Sequence, residues 1–148
     1  RAAFGAAGLD LPPARVIRPP ATIEGGEAAF LRTWSRGDRP TAVLCMSDAA
    51  AAGTLSAARR LGVRVPEELS IVGFDDLPLT RFTDPPLTTV HQPVRSKGEA
   101  AATMLLEALR RPPADDQAHV LVLETRLVVR RSTAVPSGDR SQEVVVAR

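Results

Sequence analysis

The chain has 148 residues, 44% of them hydrophobic and 24% charged, with 19 Lys and Arg against 17 Asp and Glu and a net charge of +2. A domain near this size buries roughly 70% of its unfolded surface, so one ordinary domain with a proper core is expected, and the composition excludes a fibrous or wholly disordered chain. The basic residues are scattered as Arg59/Arg60, Arg110/Arg111 and Arg130/Arg131 rather than gathered in a tract, so this chain is not expected to grip nucleic acid by itself.

Taken in chain order, "RAAFGAAGL" has the character of the last turns of a helix, with Gly8 as its stop. Ala14 to Arg18 is a short strand candidate. Thr22 is placed to cap a helix from Ile23 to Arg36, with Glu24 in the first turn, Gly37 at the end, and Ile23, Phe30 and Trp34 on one face. Thr41 to Met46 is a continuous apolar run, as a strand covered on both faces requires. Asp48 is the expected cap of a helix from Ala49 to Leu61, which Gly62 stops. Leu69 to Phe74 is the next buried strand, "PPLTTV" and "HVLVLETRLVV" are further strands, and a helix from Arg95 to Arg111 lies between them. Pro112 to Ala118 is a loop. The tail from Pro136 to Arg148 is polar and irregular, and is expected to be disordered.

Strand, helix, strand, helix, strand is the pattern of an α/β fold with a parallel sheet and helices on both faces. The strands Thr41–Met46 and Leu69–Phe74 flank one crossover helix, so their carboxyl ends share one edge of the sheet. Ser47 and Asp48 sit at the first end, Asp75 and Asp76 at the second, and open α/β sheets take their ligands at that edge. Asp48 and Asp76 each have a local use, as a helix cap and a turn former. Asp75 has less of one, because a carboxylate just beyond a buried strand needs a partner to offset desolvation.

Catalysis is not indicated. No G-x-S-x-G, P-loop or G-x-G-x-x-G pattern occurs, and His91 and His119 stand alone. Asp75 and Asp76, being adjacent, would point to opposite sides of an extended chain. One cysteine and two separated histidines give no metal-ligand spacing, so no metal and no cofactor are expected. Cys45 excludes an internal disulfide and fits a reducing compartment. No apolar run approaches the ~18 residues that span a membrane, and no signal peptide is visible. The chain opens on Arg1, as a piece of a longer protein does.

From "RPTAVLCMSDAAAAG" through "VPEELSIVGFDD" and "PPLTTVHQP", and on to the closing "LVVRRST", the chain strongly resembles the effector-binding region of the LacI/GalR transcriptional regulators over about Gly26 to Thr133. The resemblance implies a type I periplasmic-binding-protein-like fold of two subdomains with a small ligand between them. It implies that residues 1–92 form most of the C-terminal subdomain, 93–125 a segment of the N-terminal subdomain, and 126–135 a returning strand of the C-terminal one. A cytoplasmic homodimer is implied, joined around the helix Ala49–Leu61 and the loop Leu79–Pro86, with operator DNA bound by a separate helix-turn-helix domain. The ligand positions carry over to Asp75 and Ser47, where the family often has Asn, with Asp48 beside them. Val94 and Ala21 match positions where some members place an aromatic. A sugar is the family's default effector. The competing readings are a solute-binding protein of a sugar transporter on the same fold and, with less support, an enzyme on a doubly wound scaffold.

Overall fold

A computed structural model describes residues 2–37, 39–110, 120–135 and 144–147. The first helix, α1 (Ala2–Ala6), ends at Gly8, whose φ of 71° lies in the left-handed region. A short 3-10 turn leads into β1 (Val16–Ile17), shorter than the expected Ala14–Arg18 because Pro13 to Arg15 coil instead. Helix α2 (Ile23–Ser35) starts where Thr22 accepts a hydrogen bond from the Gly25 amide at 3.0 Å. Strand β2 (Ala42–Cys45), helix α3 (Asp48–Arg60), strand β3 (Ser70–Asp75) and strand β4 (Thr88–His91) follow. Helix α4 (Val94–Arg110) and strand β5 (Arg126–Val128) come next, and β6 (Val144–Ala147) is last.

Two expectations are corrected. Of "HVLVLETRLVV" only Arg126–Val128 is strand; Val120 and Val122 are exposed and unpaired in any strand, and His119 lies outside the described residues. The expectation of a disordered tail fails at Val144–Ala147, which form a strand. A run of three valines needs only an open ladder to join, whatever the polarity of the residues before it. Residues 136–143, the expected loop from Pro112 to Ala118, and Arg111 lie outside the described residues.

The sheet runs β1-β6-β2-β3-β4-β5, parallel throughout except for β5, which lies antiparallel to β4. Helices α2 and α3 pack side by side on one face of it. Their seam is close: a Cβ on Gly26 would collide with the carbonyl of Ala50, and one on Gly53 with that of Ile23. Phe30, Val43, Ala51, Leu55, Ala57, Leu69, Ile71, Leu87 and Val145 fill the core between helices and sheet. Ile23 departs from the expected face and is exposed, whereas Phe30 is buried against Trp34, whose ring also carries the Arg39 guanidinium 4.1 Å from its centroid. Neither α1 nor α4 has a buried residue.

Candidate functional site

The carboxyl ends of β2, β3 and β4 lie side by side, and the polar residues singled out above gather there. Ser47, not Asp48, caps α3: its Oγ accepts from the Ala50 amide at 3.2 Å. The expectation that Asp48 is the cap is therefore corrected. Asp48 is the first residue of the helix and is fully buried. Its two oxygens accept from the Thr89 hydroxyl at 2.6 Å and the Leu77 amide at 2.7 Å. Room for it comes from β3, where any side chain on Gly73 would run into Asp48 Oδ1. Burial raises the Asp48 pKa, the two hydrogen bonds oppose that, and the nearby Asp75 and Asp76 charges add to it; the net direction is up. Asp48 is thus a joint between α3, β4 and the turn after β3.

That turn holds two adjacent non-glycine residues at positive φ, Asp75 at 116° and Asp76 at 59°. Such conformations cost of order 1–3 kcal/mol each and persist where surroundings over-determine them. The surroundings here are specific. The Asp76 amide donates to Thr89 Oγ1 at 3.4 Å, and the Thr89 hydroxyl in turn donates to Asp48. Asp76 Oδ1 accepts from Arg130 at 2.6 Å and Oδ2 lies 3.0 Å from His91 Nδ1. Burial pushes the Asp76 carboxyl up, but the hydrogen bonds and charges of Arg130 and His91 outweigh it and leave the carboxyl below its ordinary value.

Asp75 has a different environment. Its Oδ1 accepts from Gln92 Nε2 at 2.5 Å, and Lys97 donates to the other end of that amide, Gln92 Oε1, at 3.3 Å. The carboxylate is partly exposed at the edge of the sheet. A hydrogen-bonded but accessible acceptor on a constrained turn is suited to holding a ligand's hydroxyl or N–H groups. The two aspartates bond to different partners, as their adjacency predicts, and do not form an acid/base pair.

The structure therefore brings Ser47, Asp48 and Asp75 to one edge. Val94, the first residue of α4, and Ala21, just ahead of α2, are both exposed, and neither is bonded to this cluster. Gln92, Arg130, Thr89 and His91 were missed or set aside by sequence reasoning. Gln92 and His91 had a signal, because they end a strand parallel to β3. Arg130 had none, being 54 residues from Asp76. A cavity of about 250 Å³ lies elsewhere, between β1, β6 and α2, and involves none of these residues.

Residues 1–133 match the family described as a periplasmic binding protein-like domain. The regulator MalR of Streptomyces coelicolor is 50% identical over 121 residues, which are 82% of this chain and 34% of MalR. Among solved structures, the CelR–cellobiose complex superposes with a TM-score of 0.81 at 33% identity, over 89% of this chain and 40% of CelR. The lac repressor dimer, bound to operator and an anti-inducer, superposes at 0.69 with 29% identity, over 77% of this chain and 39% of the repressor. The chain spans about a third of the length of the curated relatives and less than half of these two solved chains. A shared sheet edge, the "VPEELSIVGFDD" turn at its centre and these likenesses agree: the chain belongs to the periplasmic binding protein-like domain family, with the LacI/GalR transcriptional regulators.

Proposed function

We propose that this chain is part of the ligand-sensing region of a LacI/GalR-type regulator, and that Asp75 is its principal contact with a small polar effector, a sugar or a similar hydroxyl-rich molecule. One observation carries the reading: Asp75 is held at φ 116° with one oxygen on Gln92, at the carboxyl edge where parallel sheets meet ligands. Ser47 has its acceptor engaged by the Ala50 amide, so its hydroxyl is left to donate. Asp48, deeper and with a hydrogen bond accepted at each oxygen, supports the turn. Ala21 and Val94 would border the ligand as small apolar walls. Residues 1–92 and 126–135 act as one subdomain and 93–125 as a segment of its partner, so that effector binding biases their arrangement.

The working protein is a cytoplasmic homodimer that meets operator DNA through a separate domain and performs no catalysis. The alanines of α3 contribute less to the dimer than the sequence suggests, because Ala50, Ala51, Ala57 and Ala58 are buried against the sheet and α2. Phe82, 85% exposed on the loop after β3, is the better anchor. The relatives favour a regulator over a transporter component, since they are named as transcriptional regulators. Among the described residues no helix is long and apolar enough to cross a membrane.

The test is calorimetry on the intact regulator with a panel of mono- and disaccharides, cellobiose first. Asp75→Ala is expected to weaken binding by about 1.5–3 kcal/mol, the range for a hydrogen bond to a charged group, and Ser47→Ala by less. Unchanged affinity in a folded Asp75→Ala protein overturns the assignment, and a larger effect at Ser47 reverses the two roles.

A further inference from the structure

The amino-terminal edge of the sheet, opposite the edge that carries Asp75, holds a second concave feature. Helix α2 runs back from the carboxyl end of β1, so its last turns lie over the amino ends of the strands. There the cavity of about 250 Å³ opens beside α2, and three of the residues that line it are arginines: Arg15, Arg32 and Arg36. Ile17, Ala29 and Val145 give it apolar walls, and among the described residues no Asp or Glu lines it. Thr33 lines it too, but its hydroxyl donates to the Ala29 carbonyl at 3.0 Å and has no proton to give a ligand.

So much like charge around one cavity is unfavourable unless something offsets it. Elsewhere the chain places acids against its arginines, with Glu68 3.0 Å from Arg64, Glu99 2.9 Å from Arg95, and Glu27 paired with Arg60. Four residues on from Arg32, where those helical pairs have their partner, stands a second arginine, and like charges at that spacing destabilise a helix. Among the described residues neither the Arg32 nor the Arg36 guanidinium has a hydrogen-bond or ion-pair partner. Arg15 is engaged in an interaction of its own, which leaves Arg32 and Arg36 as the principal donors. The carboxyl end of α2 accounts for only part of this charge, since a helix terminus carries about half an elementary charge.

We propose that this cavity is an anion site for a phosphate dianion, free or as the phosphate end of a small monoester, with Arg32 and Arg36 as its donors and Arg15 adding a third positive charge. A guanidinium presents its N–H groups in a planar fork that matches two phosphate oxygens at once. The cavity is smaller than the ~300–1,000 Å³ of pockets for drug-sized ligands, so its occupant is small, with any short carbon chain lying along Ile17, Ala29 and Val145. The site lies across the sheet from Asp75 and does not depend on the effector assignment.

Calorimetry on the full 148-residue chain at low salt, with inorganic phosphate and glycerol 3-phosphate as separate titrants, tests it. Saturable one-to-one binding of at least one titrant is expected. Arg32→Gln and Arg36→Gln, both at exposed positions and so expected to leave Tm unchanged, should each weaken it at least fivefold. Arg59→Gln on α3 removes the same charge outside the cavity and should leave the affinity as it is. Tighter binding of the monoester places its carbon chain on the apolar walls, and tighter binding of inorganic phosphate identifies the free ion; either supports the site. Absence of saturable binding by both titrants overturns the proposal. Equal weakening by Arg59→Gln, or equal binding of acetate, reduces the effect to unspecific charge attraction and also overturns it. Binding that emerges only in Glu143→Gln makes the chain's own carboxylate, one residue ahead of β6, the occupant and rejects a phosphate ligand.

Discussion

Helices α3 and α4 look alike as sequence and behave oppositely in the fold. Both are rich in alanine, run 13 and 17 residues, and carry arginine in the last turn. Eight residues of α3 are buried, including Ala51, Leu55 and Ala57, whereas α4 buries none and leaves Leu105, Leu106 and Leu109 exposed. Amphipathicity determines that a helix has a face to bury, and the availability of a partner determines whether it does. Helix α3 finds α2 and the sheet. Helix α4 begins after a two-residue break from the end of β4 and buries no residue against either.

Substitutions should sharpen this contrast. In the core that α3 shares with the sheet and α2, Leu55→Ala is expected to cost about 2–4 kcal/mol, the range for deleting a buried leucine, measured by denaturant unfolding. Gly53→Val should be at least as damaging, because its side chain would meet the Ile23 carbonyl and the Glu27 amide. A loss below ~1 kcal/mol at Leu55 would mean that the pair is not the core of the molecule.

Next in size is Asp76→Asn, which takes the charge from a partner of the mostly buried Arg130; about 2 kcal/mol is expected from charged hydrogen bonds. Its pH dependence has a definite sign. The folded Asp76 pKa lies below the ordinary 3.8, so its contribution is present above that value and lost as pH falls through the folded pKa. The variant should therefore show a flatter stability curve below about pH 4. Asp48, with its pKa raised, acts the other way: keeping it charged costs stability near neutral pH, and that cost fades as pH falls through the raised value.

Asp75→Gly separates site from scaffold. Glycine takes φ 116° without strain, so stability should rise by up to about 1 kcal/mol while effector affinity falls. A destabilised Asp75→Gly would show that its bond to Gln92 holds the fold rather than the site. The smallest effect is expected on α4. Leu109→Ala, at a position 72% exposed, should change unfolding by less than about 0.5 kcal/mol, yet Leu105→Glu should reduce binding of a hydrophobic dye by this chain.

Much of the candidate site's placement was legible. Asp75, Ser47 and Asp48 came from a simple argument, that two strands joined by a helix end on the same edge. The roles were less legible. Ser47 and Asp48 exchanged theirs because either residue type can cap a helix, and only the β3 and β4 neighbours show that Asp48 is needed below. Gln92 and Arg130 escaped notice because their partners, Asp75 and Asp76, are 17 and 54 residues distant.

By itself, the sequence determined the order of strands and helices, the helix stops at Gly8, Gly37 and Gly62, the family, and the edge on which the carboxylates lie. These follow from local periodicity, backbone sterics at glycine and the direction that a crossover helix imposes. Only the tertiary structure decided which strands are neighbours, which aspartate supports and which is presented, and that Val144–Ala147 belongs in the sheet. Each of those depends on backbone or side-chain groups far apart in sequence satisfying one another's hydrogen bonds, which no local pattern records.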